Sequence, residues 1–179
     1  MHTTTTILIS LVAVAACKAG DKSPEPADKA AAAPAAAPAA KLVYKPLGGL
    51  GLDAQVPDDA NVDDNTKTAG FPSVTIWAQP TTFVNGAGDD SASPQTFDAA
   101  KQEIQKDPNP FQKFTKQQAT PDGWQLEYEL QSMVDKTPVY GYKVRFKIDG
   151  KPFECGSNGN STVERDAVIK LCSSIRKHA

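Results

Sequence analysis

The chain has 179 residues, 40% of them hydrophobic and 22% charged, with a formal net charge of −2. That balance excludes nucleic acid as a partner, because its binders carry a basic domain or stripe. It has two histidines, at positions 2 and 178, which leaves little for a Ser–His–Asp or Cys–His catalytic site.

The first element is an apolar run from Ile7 to Ala16, interrupted only by Ser10. A membrane-spanning helix needs roughly 20 apolar residues. This run has instead the length of a signal h-region, about 7–15 residues. A core strand is the other reading, but "KAGDKSPEPADKAAAAPAAAPAAK" follows at once and offers nothing to pack against. Residues 1–16 are therefore expected to be a signal peptide.

Val14-Ala15-Ala16-Cys17 resembles the bacterial lipobox: an aliphatic residue, two small residues and an obligatory Cys. The resemblance implies that Cys17 is thioether-linked to diacylglycerol, that the chain is cut before it, and that its new amine is acylated. It implies a lipoprotein of the bacterial cell envelope whose partner is the membrane, reached through the lipid anchor. Two or more acyl chains anchor stably, where one gives only marginal binding. Lys18 stands where an Asp would imply retention in the inner membrane, so the resemblance points to the outer membrane. "MHTTTT" departs from the pattern, since such signals open on Lys or Arg. Plain secretory cleavage, with Val14 and Ala16 as a loose Ala-x-Ala, is the alternative.

Residues 17–41 read as the lipidated Cys and a tether. Positions 18–41 hold eleven Ala, four Pro and no aromatic residue, too little apolar area to offset the entropy of ordering. Pro34 and Pro38 keep the Ala tracts from forming one helix. As polyproline II, the segment would reach roughly 75 Å at about 3.1 Å per residue.

Residues 42–179 have the size of one domain. Residues 42–100 carry two basic and eight acidic side chains, and residues 101–179 thirteen and ten. "LGLDAQV" and "PSVTIWA" look like strands joined by an acidic loop. "TFDAAKQEIQKDP" spaces Phe97, Ala100 and Ile104 as a helix, with Thr96 or Ser93 as cap and Pro108 as stop. A strand near Phe114 to Ala119 and a turn at Thr120 to Gly123 follow. "WQLEYELQ" alternates Trp124, Leu126, Tyr128 and Leu130 with polar residues, as a half-buried strand does. "VYGYKVRFKID" alternates Tyr140, Tyr142, Val144, Phe146 and Ile148 with Gly141, Lys143, Arg145 and Lys147. Asp149-Gly150 is a hairpin signal and leads into "KPFECG". The last element, "STVERDAVIKLCSSIRK", opens on a capping box, Ser161-x-x-Glu164. Its apolar stripe is Val168, Leu171, Cys172 and Ile175.

These elements predict an α+β fold: an antiparallel sheet with helices packed mainly on one face and the other face wet or partly covered. Their order loosely resembles the PsbP-like α/β sandwich of thylakoid-lumen proteins, which would put some helix on both faces.

Cys155 and Cys172 are the only cysteines after Cys17. In an oxidising compartment two such residues form a disulfide; free thiols or metal ligands are the alternatives. Zinc would require four Cys or His ligands, and after Cys17 the chain has two Cys and one His. Asp59, Asn61 and Asp63 start like a calcium loop, but Asp64 stands where Gly is needed and Gly70 where a bidentate Glu belongs, so a solvated acidic turn is expected. Gly48 to Gly51 lacks nucleotide-loop spacing and a following helix. "GSNGNST" precedes a helix start, where an anion could sit, although Ser161 capping that helix explains the motif as well. Asn160-Ser161-Thr162 matches a glycosylation sequon, and the lipobox resemblance, which implies a bacterial protein, makes it a chance match. Lys143, Arg145 and Lys147 form a basic row, expected to pair with Glu127 and Glu129 across the strands; contact with an anionic lipid or polymer is the other reading. No cofactor or metal site is expected. The function expected is a non-enzymatic domain that binds or scaffolds an envelope protein or polymer. The alternative is an envelope enzyme with a carboxylate-based site.

Overall fold

The computed structural model describes residues 41–89 and 93–179. The expectations for the signal peptide, Cys17 and the tether up to residue 40 lie outside the described residues.

The fold is α+β. Its first half contains β1 (Leu42–Pro46), β2 (Leu52–Pro57), β3 (Asn61–Asp64), the short α1 (Thr66–Ala69), β4 (Ser73–Trp77) and β5 (Thr82–Gly86). Then come α2 (Phe97–Gln105), the meander β6 (Phe111–Thr120), β7 (Gly123–Gln131), β8 (Pro138–Ile148) and β9 (Lys151–Gly159), α3 (Thr162–Ser173) and β10 (Arg176–Lys177). The strands form two sheets, β1-β2-β10 and β3-β4-β5-β9-β8-β7-β6. All neighbours run antiparallel. β6 is an outer edge strand, broken by register shifts at Phe111/Lys113 and Phe114/Lys116.

Local chemistry accounts for the element ends. Thr96 caps α2, its side chain accepting from the Ala99 N–H at 3.1 Å. Ser161 caps α3 by accepting from Glu164 N–H at 3.2 Å, and Glu164 reaches back to the Asn160 N–H at 2.5 Å. The first bond satisfies a donor that a helix start otherwise leaves open, and the second ties the residue before the cap to the first turn. Asp149 and Gly150 both take positive φ, 51° and 75°, the conformation of a type I′ hairpin turn.

The register of the large sheet decides where the core goes. Trp124 opposes Arg145, Leu126 opposes Lys143, and Tyr128 opposes Gly141. The apolar set of β7 therefore shares a face with the polar set of β8. Trp124, Leu126, Tyr128 and Leu130 pack against Ala100 and Ile104 of α2. On the other face Val84, Phe153 and Cys155 pack with α3 and with Leu52, Ala54 and Val56 of the small sheet. The two helices thus cover opposite faces rather than gathering mainly on one. Neither face is wholly wet: each carries a buried cluster. Adjacent strands with the same alternation bury opposite sides because their pairing is offset by one residue.

Cys155 and Cys172 are joined by a disulfide, with Cα atoms 5.8 Å apart, and it links β9 to α3. Gly141 has a packing role. A Cβ there would lie 2.0 Å from Tyr128 Cε2, so only glycine lets the Tyr128 ring cross β8. Its hydroxyl then donates to Asn158 Oδ1 on β9 at 2.9 Å.

Candidate functional site

α2 covers only the β6–β7 end of its face. Beyond it lies an open cleft of about 880 Å³, bounded by the C-terminal end of α2, the loop at 79–81 and strands β5, β9, β8 and β7. The row Phe83, Gly156, Lys143, Leu126 crosses this face from β5 to β7, and the row Asn85, Glu154, Arg145, Trp124 lies beside it. Glycine at 156 leaves the floor low between Phe83 and Lys143.

Lys143 is the hub. Its ammonium lies 2.6 Å from Glu103 Oε1 and 3.1 Å from Glu154 Oε1, and its side chain is 17% exposed. Burial alone would depress its pKa, but Glu154 and Glu103 outweigh that and hold the ammonium above its ordinary value. Glu154 is shifted upward, because burial and the nearby Glu103 charge outweigh the pull of Lys143. Its Oε1 is the atom that meets Lys143, while Oε2 is buried without a hydrogen-bond donor. Arg145, directly opposite Glu154, donates through Nη2 to Ala87 O at 2.7 Å and Gln95 Oε1 at 2.6 Å. It ties the segment before α2 to the sheet. Burial drives the Tyr128 hydroxyl far up and the Tyr142 hydroxyl up to about 12, so both stay neutral donors.

The basic row behaves differently from its sequence expectation. Lys143 and Arg145 do not pair with Glu127 or Glu129, which lie on the opposite face of the sheet. Glu127 faces Lys116 at 3.7 Å and Arg165 Nε at 3.6 Å, and Glu129 faces Lys113 at 3.1 Å. The one-residue offset between β7 and β8 separates the expected partners.

The acidic loop is tied into local structure. Asp63 accepts from Asn61 Nδ2 at 2.8 Å and from the Trp77 indole N–H at 2.6 Å. Asp64 accepts from the N–H groups of Gly49 and Thr66, and bonds from Thr66, then Gly49, hold its carboxyl below the usual range. No group of three or more metal-ligating side chains is brought together among the described residues. Gly48 to Leu50 forms a 3-10 turn entering β2. "GSNGNST" is the end of β9 and the cap of α3. His178 follows β10 and is held beside the small sheet: its Nδ1 lies 2.6 Å from Asp53 Oδ1, and its backbone N–H donates to Gly51 O.

Glu103, Glu154 and Phe83, which line the cleft, do not stand out in the sequence as site residues. For Glu154 alone one signal is present. A two-residue turn at Asp149-Gly150 pairs Ile148 with Lys151, and counting back from there places Arg145 opposite Glu154.

No protein-family model matches the chain, and no curated protein matches it by sequence. Among solved structures it is similar to PA94 of Pseudomonas aeruginosa, a protein of unknown function. The match has 12% identity and a TM-score of 0.36, and covers 70% of this chain and 87% of that one. At that score it carries no argument about fold or function.

Proposed function

We propose that this is a lipid-anchored binding domain of the bacterial envelope, held at the outer membrane through Cys17 and reaching its ligand across the tether of residues 18–41. The observation that carries the binding role is the cleft on the α2 face, with the half-buried Lys143 ammonium at its centre and the carboxylates of Glu103 and Glu154 against it. A concave cleft of this size is the usual form of a ligand site. The Cys155–Cys172 disulfide supports an exported location, since such bonds persist in oxidising compartments.

Intact mass of the protein from native membranes tests the anchor. The expected result is a chain beginning at Cys17 and carrying acyl groups. Cys17→Ser should leave an unprocessed precursor or a soluble form. Mature protein that still fractionates with the membrane after that change would place the anchor elsewhere.

A second reading, an envelope enzyme with a carboxylate-based site, is favoured by one observation: Glu103 and Glu154 meet over the same ammonium, and burial raises Glu154. Perturbed acids in a cleft are candidates for proton transfer. We prefer binding because both carboxylates are engaged by Lys143, which leaves neither free as a nucleophile.

A further inference from the structure

We propose that the open half of the α2 face binds a neutral, hydroxyl-rich glycan chain. The inference deepens the reading of the cleft as a binding site and is independent of the lipid anchor.

The first observation is a pair of exposed rings. Trp77 is 53% exposed and Phe83 48%. Because Thr75 opposes Phe83 on neighbouring strands, Trp77 and Phe83 are diagonal neighbours on one face, close enough for large side chains to act together. Phe83 also lines the cleft. The Trp77 indole is held in place by its N–H bond to Asp63, so little freedom remains to be lost on binding. Rings set this way offer flat apolar surface to the C–H face of a pyranose.

Polar groups supply the other half of the match. Beside the rings the cleft presents Gln79, Thr81, Asn85, Ser157, Asn158 and Asn160. Amides and hydroxyls both donate and accept, which suits a ligand whose edges do the same.

Charge narrows the occupant. The cleft holds four carboxylates, of Glu103, Asp107, Glu154 and Glu164, against the ammoniums of Lys106 and Lys143. That surplus repels phosphate-bearing or sulfated polymers. A purely apolar occupant would strand the amides without partners. Length follows from the sheet: β4 to β8 is three inter-strand steps, about 14 Å at the usual strand spacing, so the site takes an oligomer rather than a single sugar.

The test titrates the full chain, in a detergent without a sugar headgroup, with neutral tetrasaccharides (β-linked N-acetylglucosamine, cellotetraose and maltotetraose) and with a sulfated tetrasaccharide. The chain has two tryptophans, and Trp124 is buried, so a change in indole emission reports Trp77. At least one neutral tetramer should shift that emission and bind in calorimetry. Trp77→Ala should weaken binding at least tenfold and Phe83→Ala several-fold, both still unfolding cooperatively because about half of each ring is exposed. The sulfated tetramer should not bind. The proposal is overturned if no neutral tetramer binds at millimolar concentration, if both variants bind like wild type, or if the sulfated tetramer binds as well as the neutral ones. In each of those cases the Cys17→Ser fractionation still reports independently on the anchored envelope role.

Discussion

The two faces of the seven-stranded sheet are built to different specifications. The α3 face is closed: a second sheet, a twelve-residue helix and a disulfide all lie over it. The α2 face carries a nine-residue helix with no covalent tie, and half of it stays open as the cleft. One side holds the fold together and the other leaves room for a partner. Regions that bind are commonly drawn from the less stable end of a structure, and this molecule separates the two tasks by sheet face.

The largest test of that separation is Leu126→Ala, which empties the fully buried centre of the α2 cluster. It should cost about 2–5 kcal/mol in denaturant unfolding, and amides of residues 97–105 should lose exchange protection before those of 162–173. Simultaneous loss in both helices would show that the faces are one cooperative unit. Next in size is the covalent tie. Cys155 and Cys172 are 17 positions apart, so the chain-entropy model gives about 3 kcal/mol for the bond. Reduction should lower the melting temperature and loosen α3 first, reversing the order expected for Leu126→Ala. Thiol titration of denatured, unreduced protein should find neither cysteine reactive.

The caps come third. Thr96→Ala and Ser161→Ala should each cost about 1 kcal/mol, but only the former should speed exchange in α2. The smallest effect is on pH. Glu154 has a raised pKa in the folded state because it is buried. Between its ordinary value of 4.5 and that raised value, the folded chain takes up a proton that the unfolded chain does not. Its stabilising contribution is therefore complete below 4.5 and is lost as pH rises through the folded value. The melting temperature of wild type relative to Glu154→Gln should rise as pH falls from about 7 toward that ordinary value. A flat difference would mean that Lys143 holds Glu154 ionised throughout.

Much of the fold was legible because its signals are local. Alternation located β7 and β8, Asp149-Gly150 located their neighbour's hairpin, and Thr96 and Ser161 marked both helix starts. The face each strand buries was not legible. Period-two alternation gives two sides without saying which one meets the neighbour's, and the connection between Gln131 and Pro138 sets that choice for β7 and β8. The cleft was hidden for a related reason. Glu103, Lys143 and Glu154 come from a helix and two strands; the β8–β9 hairpin brings Lys143 beside Glu154, but Glu103 lies 40 positions before Lys143, beyond any short window. The expectation that Lys143 meets Glu127 failed on the same one-residue offset.

β6 has a consequence for neighbouring molecules. It is ten residues long, lies at the rim of the sheet and is mostly exposed, and such a rim invites another chain to add a strand. Two features discourage it. The register shifts at Phe111/Lys113 and Phe114/Lys116 bend the strand out of line, and Lys113 and Lys116 place charge where a flat partner would have to lie. Their partners Glu129 and Glu127 sit on the next strand inward, so a copy docking on β6 would meet ammonium against ammonium. Chains crowded side by side on one surface would in this way remain separate molecules rather than zip into a continuous sheet.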